Sequence, residues 1–217
     1  MKRHFTWLLL CLYLLSTNVM AQTGTLLYRE DFKGNNVSDP PVAPTDLSGG
    51  YSDFVYNTNY NIHGYSLVKF VRHGASGWWE CSDHTHWGDV TRGYYMFVDP
   101  QAGTAGKILY EKQINGLCSG FDVQLSAWVL DLCKGGQGYI PAKFSLRISD
   151  AVTNAVISQT GVITGTTWFN EADVKWEQLT LTITIPVGSS SIKFTVINEE
   201  SGTSGNDLGL DDIEVWL

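Results

Sequence analysis

From Phe121 onward, apolar and polar residues alternate along the chain. In FDVQLSA, Phe121, Val123, Leu125 and Ala127 fall on one side of an extended backbone, and Asp122, Gln124 and Ser126 fall on the other. FSLRIS repeats the pattern with Phe144, Leu146 and Ile148, LTLTITI with Leu179, Leu181, Ile183 and Ile185, and IKFTV with Ile192, Phe194 and Val196. Side chains two residues apart share a face of a strand, so each segment reads as a strand with one apolar face. Further strands are expected at 26–32, 65–71, 94–98, 107–114 and 208–217, about nine or ten in all, separated by turns rich in glycine and proline. No segment has a convincing helical period. Short strands with one apolar face each must bury those faces against another sheet, which predicts an all-β, antiparallel two-sheet sandwich rather than a barrel. The stretch 33–61 breaks the pattern with Pro40, Pro41, Pro44 and four aromatics, Tyr51, Phe54, Tyr56 and Tyr60. It reads as a long excursion pinned to the sandwich by its aromatic side chains.

Carboxylates interrupt this pattern at both ends. In LLYREDF, period-two alternation groups Glu30 with Leu26, Tyr28 and Phe32, and in LDDIEVWL it groups Asp211 with Ile213, Val215 and Leu217. An inward carboxylate is costly unless donors or a cation meet it. If the first and last strands are neighbours, one Ca²⁺ can satisfy both, since oxygen ligands suit that ion. Backbone N–H groups or a cation such as Arg29 are the other way to satisfy Glu30.

The first 21 residues, MKRHFTWLLLCLYLLSTNVMA, have a basic start, an apolar run and small residues at Val19 and Ala21, as a secretory signal peptide does. The apolar run is about 11 residues where a bilayer span needs about 20, so an exported protein without membrane insertion is expected, with residues 22–217 as one domain. Cys11 is followed by more apolar residues, which argues against a lipoprotein. The formal charge of −8 becomes about −10 once Lys2 and Arg3 leave with the leader, and no basic cluster remains, which disfavours nucleic acid as a partner. Cys81, Cys118 and Cys133 are an odd number of thiols for an oxidising compartment, allowing at most one internal disulfide. A strand between Cys118 and Cys133 holds them apart, so a pair involving Cys81 is expected.

DHTHWGD, residues 83–89, places two histidines and two aspartates beside Trp87. His84 and His86 share a strand face, yet zinc needs further ligands, and no H-E-x-x-H or C-x-x-C spacing exists. Trp78, Trp79 and Trp87, with His86 nearby, form an aromatic and polar segment punctuated by glycine, suited to stacking on a ligand and orienting it. Trp128, Trp168, Trp176 and Trp216 read as packing residues.

The order EDF, DHT, GYYMFVDP, NGLC, FDVQLSAW and GNDLGLDDI resembles MAM-type and carbohydrate-binding-module-type jelly rolls of secreted and surface proteins of Gram-negative bacteria. It covers nearly the whole chain after the leader. Lys33 stands where that pattern has glycine, and Gly209 stands where it has alanine. The resemblance implies a calcium-stabilised jelly roll used for binding or adhesion, with no activity, and a glycan or cell-surface protein as partner. It implies that Asp83, His84 and Thr85 form a structural turn, with Asp83 joining Glu30 and Asp211 as a calcium ligand and His86 outside the motif. Two other functions remain open: a secreted hydrolase of glycans, for which no carboxylate pair or G-x-S-x-G nucleophile stands out, and a structural or assembly subunit.

Overall fold

The alternation that begins at Asp122 produces a ten-residue strand, and its inward side chains Val123, Leu125, Ala127 and Val129 are at most 1% exposed. The computed structural model describes residues 24–32, 47, 49–60, 63–71, 77–202 and 204–217. The leader read at 1–21, much of the proline-rich stretch and His73 lie outside these residues. Thirteen strands occur among the described residues. The first seven are β1 (Leu26–Glu30), β2 (Gly64–Val68), β3 (Phe70–Val71), β4 (Cys81–Ser82), β5 (Tyr95–Asp99), β6 (Ile108–Asn115) and β7 (Asp122–Asp131). They are followed by β8 (Lys143–Asp150), β9 (Val156–Gln159), β10 (Ile163–Thr164), β11 (Glu177–Thr184), β12 (Ser191–Asn198) and β13 (Leu208–Trp216).

The strands form the expected antiparallel jelly-roll sandwich. One sheet runs β11-β7-β13-β5-β2, with β1 also paired to β13, and the other runs β10-β8-β12-β6, with β9 paired to β8. Between them lies one apolar core, containing Val123, Leu125, Phe144, Leu146, Ile192, Phe194, Leu210 and Ile213. The first and last strands are neighbours, with Glu30 opposite Ile213. β13 divides one of its edges between two partners, β5 beside Leu208 to Leu210 and β1 beside its second half.

Two expectations fail at the ends of strands. Phe121 lies just outside β7 and is 54% exposed, because the strand begins one residue later. Asp211 is buried, but not beside Ile213. Between Asp211 and Glu214 the register of β13 slips, with Asp212 at a φ of +39°. The added residue reverses the facing on one side of the slip. Ile213 and Val215 therefore face the inter-sheet core, whereas Asp211 lies opposite Trp128 on the outer face.

That outer face is covered over part of its area by a second apolar layer. Val71, Cys81, Trp168, Val174 and Trp176 close over Tyr95, Phe97 and Leu130. This makes the second half of β7 apolar on both faces, which is why Leu130 and Leu132 follow Val129. Gly209 lies beneath this layer, and a Cβ there would sit 2.7 Å from the Trp176 indole. An alanine here would push Trp176 outward.

The proline-rich excursion is pinned by its aromatics as expected. Phe54 is buried, Tyr56 packs on Tyr65, and Tyr60 packs on Phe97. Its backbone also pairs with β6, Tyr51 N donating to Glu111 O at 2.9 Å and Glu111 N to Tyr51 O at 2.8 Å. The expected disulfide is absent: Cys81, Cys118 and Cys133 are all free. Cys81 Sγ instead donates to Ser82 O at 3.1 Å, and Cys133 Sγ to Asp207 Oδ2 at 3.5 Å.

Candidate functional site

Residues 83–89 dock on the outer face through the two aspartates of the β13 bulge. His84 N donates to Asp211 Oδ2 at 2.8 Å, and the Asp212 N–H closes on Asp211 Oδ1 at 2.8 Å. Asp212 accepts from His84 Nδ1 at 2.7 Å, Thr85 Oγ1 at 2.7 Å and Arg29 Nη2 at 2.6 Å. The His84 ring stacks on Trp128, centroids 3.7 Å apart and planes 19° apart, with Trp176 edge-on. Within the turn, Asp83 Oδ1 accepts from His86 N at 2.5 Å and lies 3.1 Å from His86 Nδ1. His86 is thus part of the turn rather than outside it. Gly93 leaves room for the Asp83 carboxylate, which any Cβ at that position would strike.

The carboxylates differ in protonation for physical reasons. Burial pushes Asp211 well above the carboxylate range, and the charge of Asp212 pushes in the same direction. Burial also acts on Asp212, but hydrogen bonds from His84 and Thr85 and the Arg29 charge outweigh it and hold that group at about 2. Burial raises Asp83 despite its bonds to His86. Glu30 is raised by burial too, although Phe32 N donates to it at 2.8 Å, Tyr28 Oη at 3.2 Å and Tyr110 Oη at 3.3 Å.

Glu30 and Asp211 are buried, as their spacing suggests, and so is Asp83, but the three do not fit one calcium ion. Glu30 faces the inter-sheet core with Phe32 and Tyr110, whereas Asp211 lies on the opposite face of the same sheet. Each of the three is met by its own protein donors. Among the described residues, no three His, Cys, Asp or Glu side chains form a metal-holding group.

The aromatic residues picked out by sequence separate into two kinds. Trp78 packs on Phe97 at 5.0 Å and donates Nε1 to Asp207 at 2.7 Å. Trp79 donates Nε1 to Trp168 O at 3.2 Å beneath Lys134 Nζ, which stands 5.0 Å from its ring centroid. Both are half-buried parts of the second layer. Trp87 is different, being 48% exposed at the tip of the turn.

A stronger site lies where the second layer stops. On the open part of the outer face, β7 presents Asp122 and Gln124, β13 presents Glu214 and Trp216, β1 presents Leu26 and Arg29, and β11 presents Thr180, Thr182 and Thr184. The register puts Gln124 opposite both Trp216 and Thr182, and Arg29 opposite Glu214. A cavity of about 450 Å³ opens here, lined by Gly24, Asp122, Gln124, Thr182, Trp216 and Leu217. The half-buried Trp216 indole is oriented by its Nε1 bond to Glu214 Oε2 at 2.9 Å, while Thr184 Oγ1 donates to Asp122 Oδ1 at 2.6 Å. An apolar ring face beside fixed amide, hydroxyl and carboxylate groups can stack on a ligand and orient it. Sequence reasoning placed Trp216 with the packing residues. The polar run Gln124, Thr182 and Thr184 on two adjacent strands was the signal that this face is not buried.

No family model matches this chain, and no curated protein matches it. Among solved structures it is similar to the CBM22-1 and GH10 modules of endo-1,4-β-D-xylanase 10B from Clostridium thermocellum, complexed with xylohexaose. The TM-score is 0.50 at 12% identity, over 88% of this chain and 28% of that one, so the chain spans little more than a quarter of that protein's length. The CBM22-1 xylan-binding domain of Paenibacillus barcinonensis Xyn10C is similar at TM-score 0.47 and 11% identity, covering 89% of this chain and 95% of that one. The sugar-binding EclA C-terminal domain matches at TM-score 0.43 and 20% identity, over 56% of this chain and 76% of that one. The likeness to the xylanase modules is one of fold.

Proposed function

We propose that this chain is an exported, non-catalytic module that binds glycan chains on the open part of its six-stranded sheet. One observation carries the reading: the Trp216 indole stands at the wall of a cavity of about 450 Å³ with Asp122, Gln124 and Thr182 around it. Sugars present an apolar ring face and a rim of hydroxyls, and this wall offers a partner for each. The two carboxylates nearby are already engaged, Asp122 with Thr184 and Glu214 with Trp216 and Arg29. That suits orientation better than proton transfer to a bound substrate. The binding modules among the similar folds support the reading. The turn carrying Trp87 is the border of this face, since Arg29 Nη2 also donates to Thr85 Oγ1 at 3.3 Å.

Affinity electrophoresis of the protein through gels containing soluble polysaccharides tests this. Retardation by at least one polysaccharide is expected, with Trp216→Ala reducing affinity about tenfold or more, equivalent to about 1.4 kcal/mol, at an unchanged melting temperature. A Trp216→Ala protein that melts as the parent does and is retarded equally would refute the site. Loss on Trp87→Ala alone would move binding to the 83–89 turn.

A further inference from the structure

Among the described residues the open face holds one guanidinium, Arg29, and carboxylates already surround it. Arg29 Nη2 stands 2.6 Å from Asp212 Oδ1, Nη1 3.7 Å from Glu214 Oε1 and Nε 3.9 Å from Asp31 Oδ2. Three carboxylates around one cation leave this corner negative. At the other end Asp122 is exposed and accepts from an uncharged hydroxyl, Thr184 Oγ1, at 2.6 Å. Among the described residues, no lysine, arginine or histidine lines the cavity between them. The remaining groups on this face are uncharged: Gln124 and the threonine row of β11, whose side chains recur every second residue, about 6.8 Å apart.

We infer that this face takes uncharged glycans and rejects carboxylated or sulfated ones, with Asp122 and Glu214 setting the discrimination. The inference rests on the reading that glycans bind here. A ligand carboxylate or sulfate over this face would lie close to at least one protein carboxylate, with no cation among the described residues lining the cavity to meet it. Like charges brought together during desolvation are a repulsive selectivity element. A neutral sugar meets only donors, acceptors and the indole. Salt should narrow the discrimination, because the groups are partly exposed and the screening length is about 10 Å at 0.1 M ionic strength.

The test uses pairs of polymers that share a backbone and differ in charge: hydroxyethylcellulose against carboxymethylcellulose, arabinoxylan against glucuronoxylan, and methyl-esterified against de-esterified pectin. Affinity electrophoresis at low salt should show, in each pair that is retained, at least tenfold tighter binding of the neutral member. In Asp122→Asn and in Glu214→Gln, each of which keeps an acceptor, that ratio should fall threefold or more, with melting curves confirming that both variants are folded. Equal binding of the charged member, or a ratio unchanged in both variants, would overturn the inference while leaving glycan binding intact. Retention of neither member of any pair would overturn the glycan reading itself, and this inference with it.

Discussion

Asp212 accepts hydrogen bonds from Arg29 on β1 and from His84 and Thr85 in the turn, at 2.6 to 2.7 Å, while its own N–H bonds Asp211. Removing it takes the nearest carboxylate from the Arg29 guanidinium, whose others stand at 3.7 and 3.9 Å, and the acceptor from the His84 imidazole. Asp212→Ala should therefore cost about 2–4 kcal/mol in urea unfolding, and Thr85→Ala about 1 kcal/mol, because the second removes only one neutral donor. A loss for Asp212→Ala no larger than that for Thr85→Ala would mean that the three bonds do not act together. Asp211 offers a sharper test of how its carboxyl is satisfied. Since the His84 and Asp212 N–H groups meet it, Asp211→Asn should destabilise by the same amount in calcium and in chelator. A loss seen only in calcium would make Asp211 an ion ligand after all. Burial of Glu30 and Asp211 was legible in the sequence as inward carboxylates. Which face Asp211 occupies was not, because one added residue at the bulge reverses the facing and period-two reasoning has no means to see it.

The turn from 83 to 89 is an irregular segment held by side chains rather than by a ladder. His84 N, His86 N and Gly88 N donate to Asp211, Asp83 and Ser82 Oγ. These amides should show slow hydrogen exchange despite lying in a loop, and Asp83→Ala should speed exchange at His86 most. Uniformly fast exchange there would mean that the turn opens independently of the sheet. The regular strands were readable from alternation alone: β8, β11 and β12 carry their predicted inward residues, with Phe144, Leu146, Ile148, Ile192, Phe194 and Val196 fully buried. The second apolar layer was not readable. Its members come from β3, β4 and residues 168–176, far apart in sequence, and none shows a periodicity that announces what it covers. Sequence alone therefore does not show that Trp78 and Trp79 pack against that layer. Trp216 was missed for the converse reason: in the last strand it looks like one more core tryptophan until β7 and β11 are set beside it.

Groups with opposite shifts set the expected pH dependence of stability. Burial raises Asp131 to about 7. Burial and the neighbouring Asp99 charge raise Asp207, which also meets Trp78 and Cys133, while Asp99 is met in turn by His63 at 2.9 Å. A carboxyl raised on folding binds its proton more tightly in the native state, so its contribution is largest below the unfolded value of about 4 and is lost as pH climbs through the folded value. Asp212, held at about 2, acts in the other direction, stabilising above about 4 and losing that contribution as pH falls toward 2. The melting temperature should thus peak near pH 4–5 and decline toward pH 8, and Asp207→Asn should flatten the alkaline side. A melting temperature that rises from pH 5 to pH 8 would contradict these buried protonated carboxyls.

The claim that binding occurs on the open part of the six-stranded sheet is most directly tested by ¹⁵N NMR during titration with a soluble neutral oligosaccharide such as xylohexaose. Shifts are expected at the Trp216 indole Nε1–H and the Gln124 side-chain amide. The Trp78 and Trp79 indoles, bonded to Asp207 and Trp168 within the second layer, should stay where they are. Shifts centred on Trp78, Trp79 or Trp87 with Trp216 and Gln124 unmoved would contradict it.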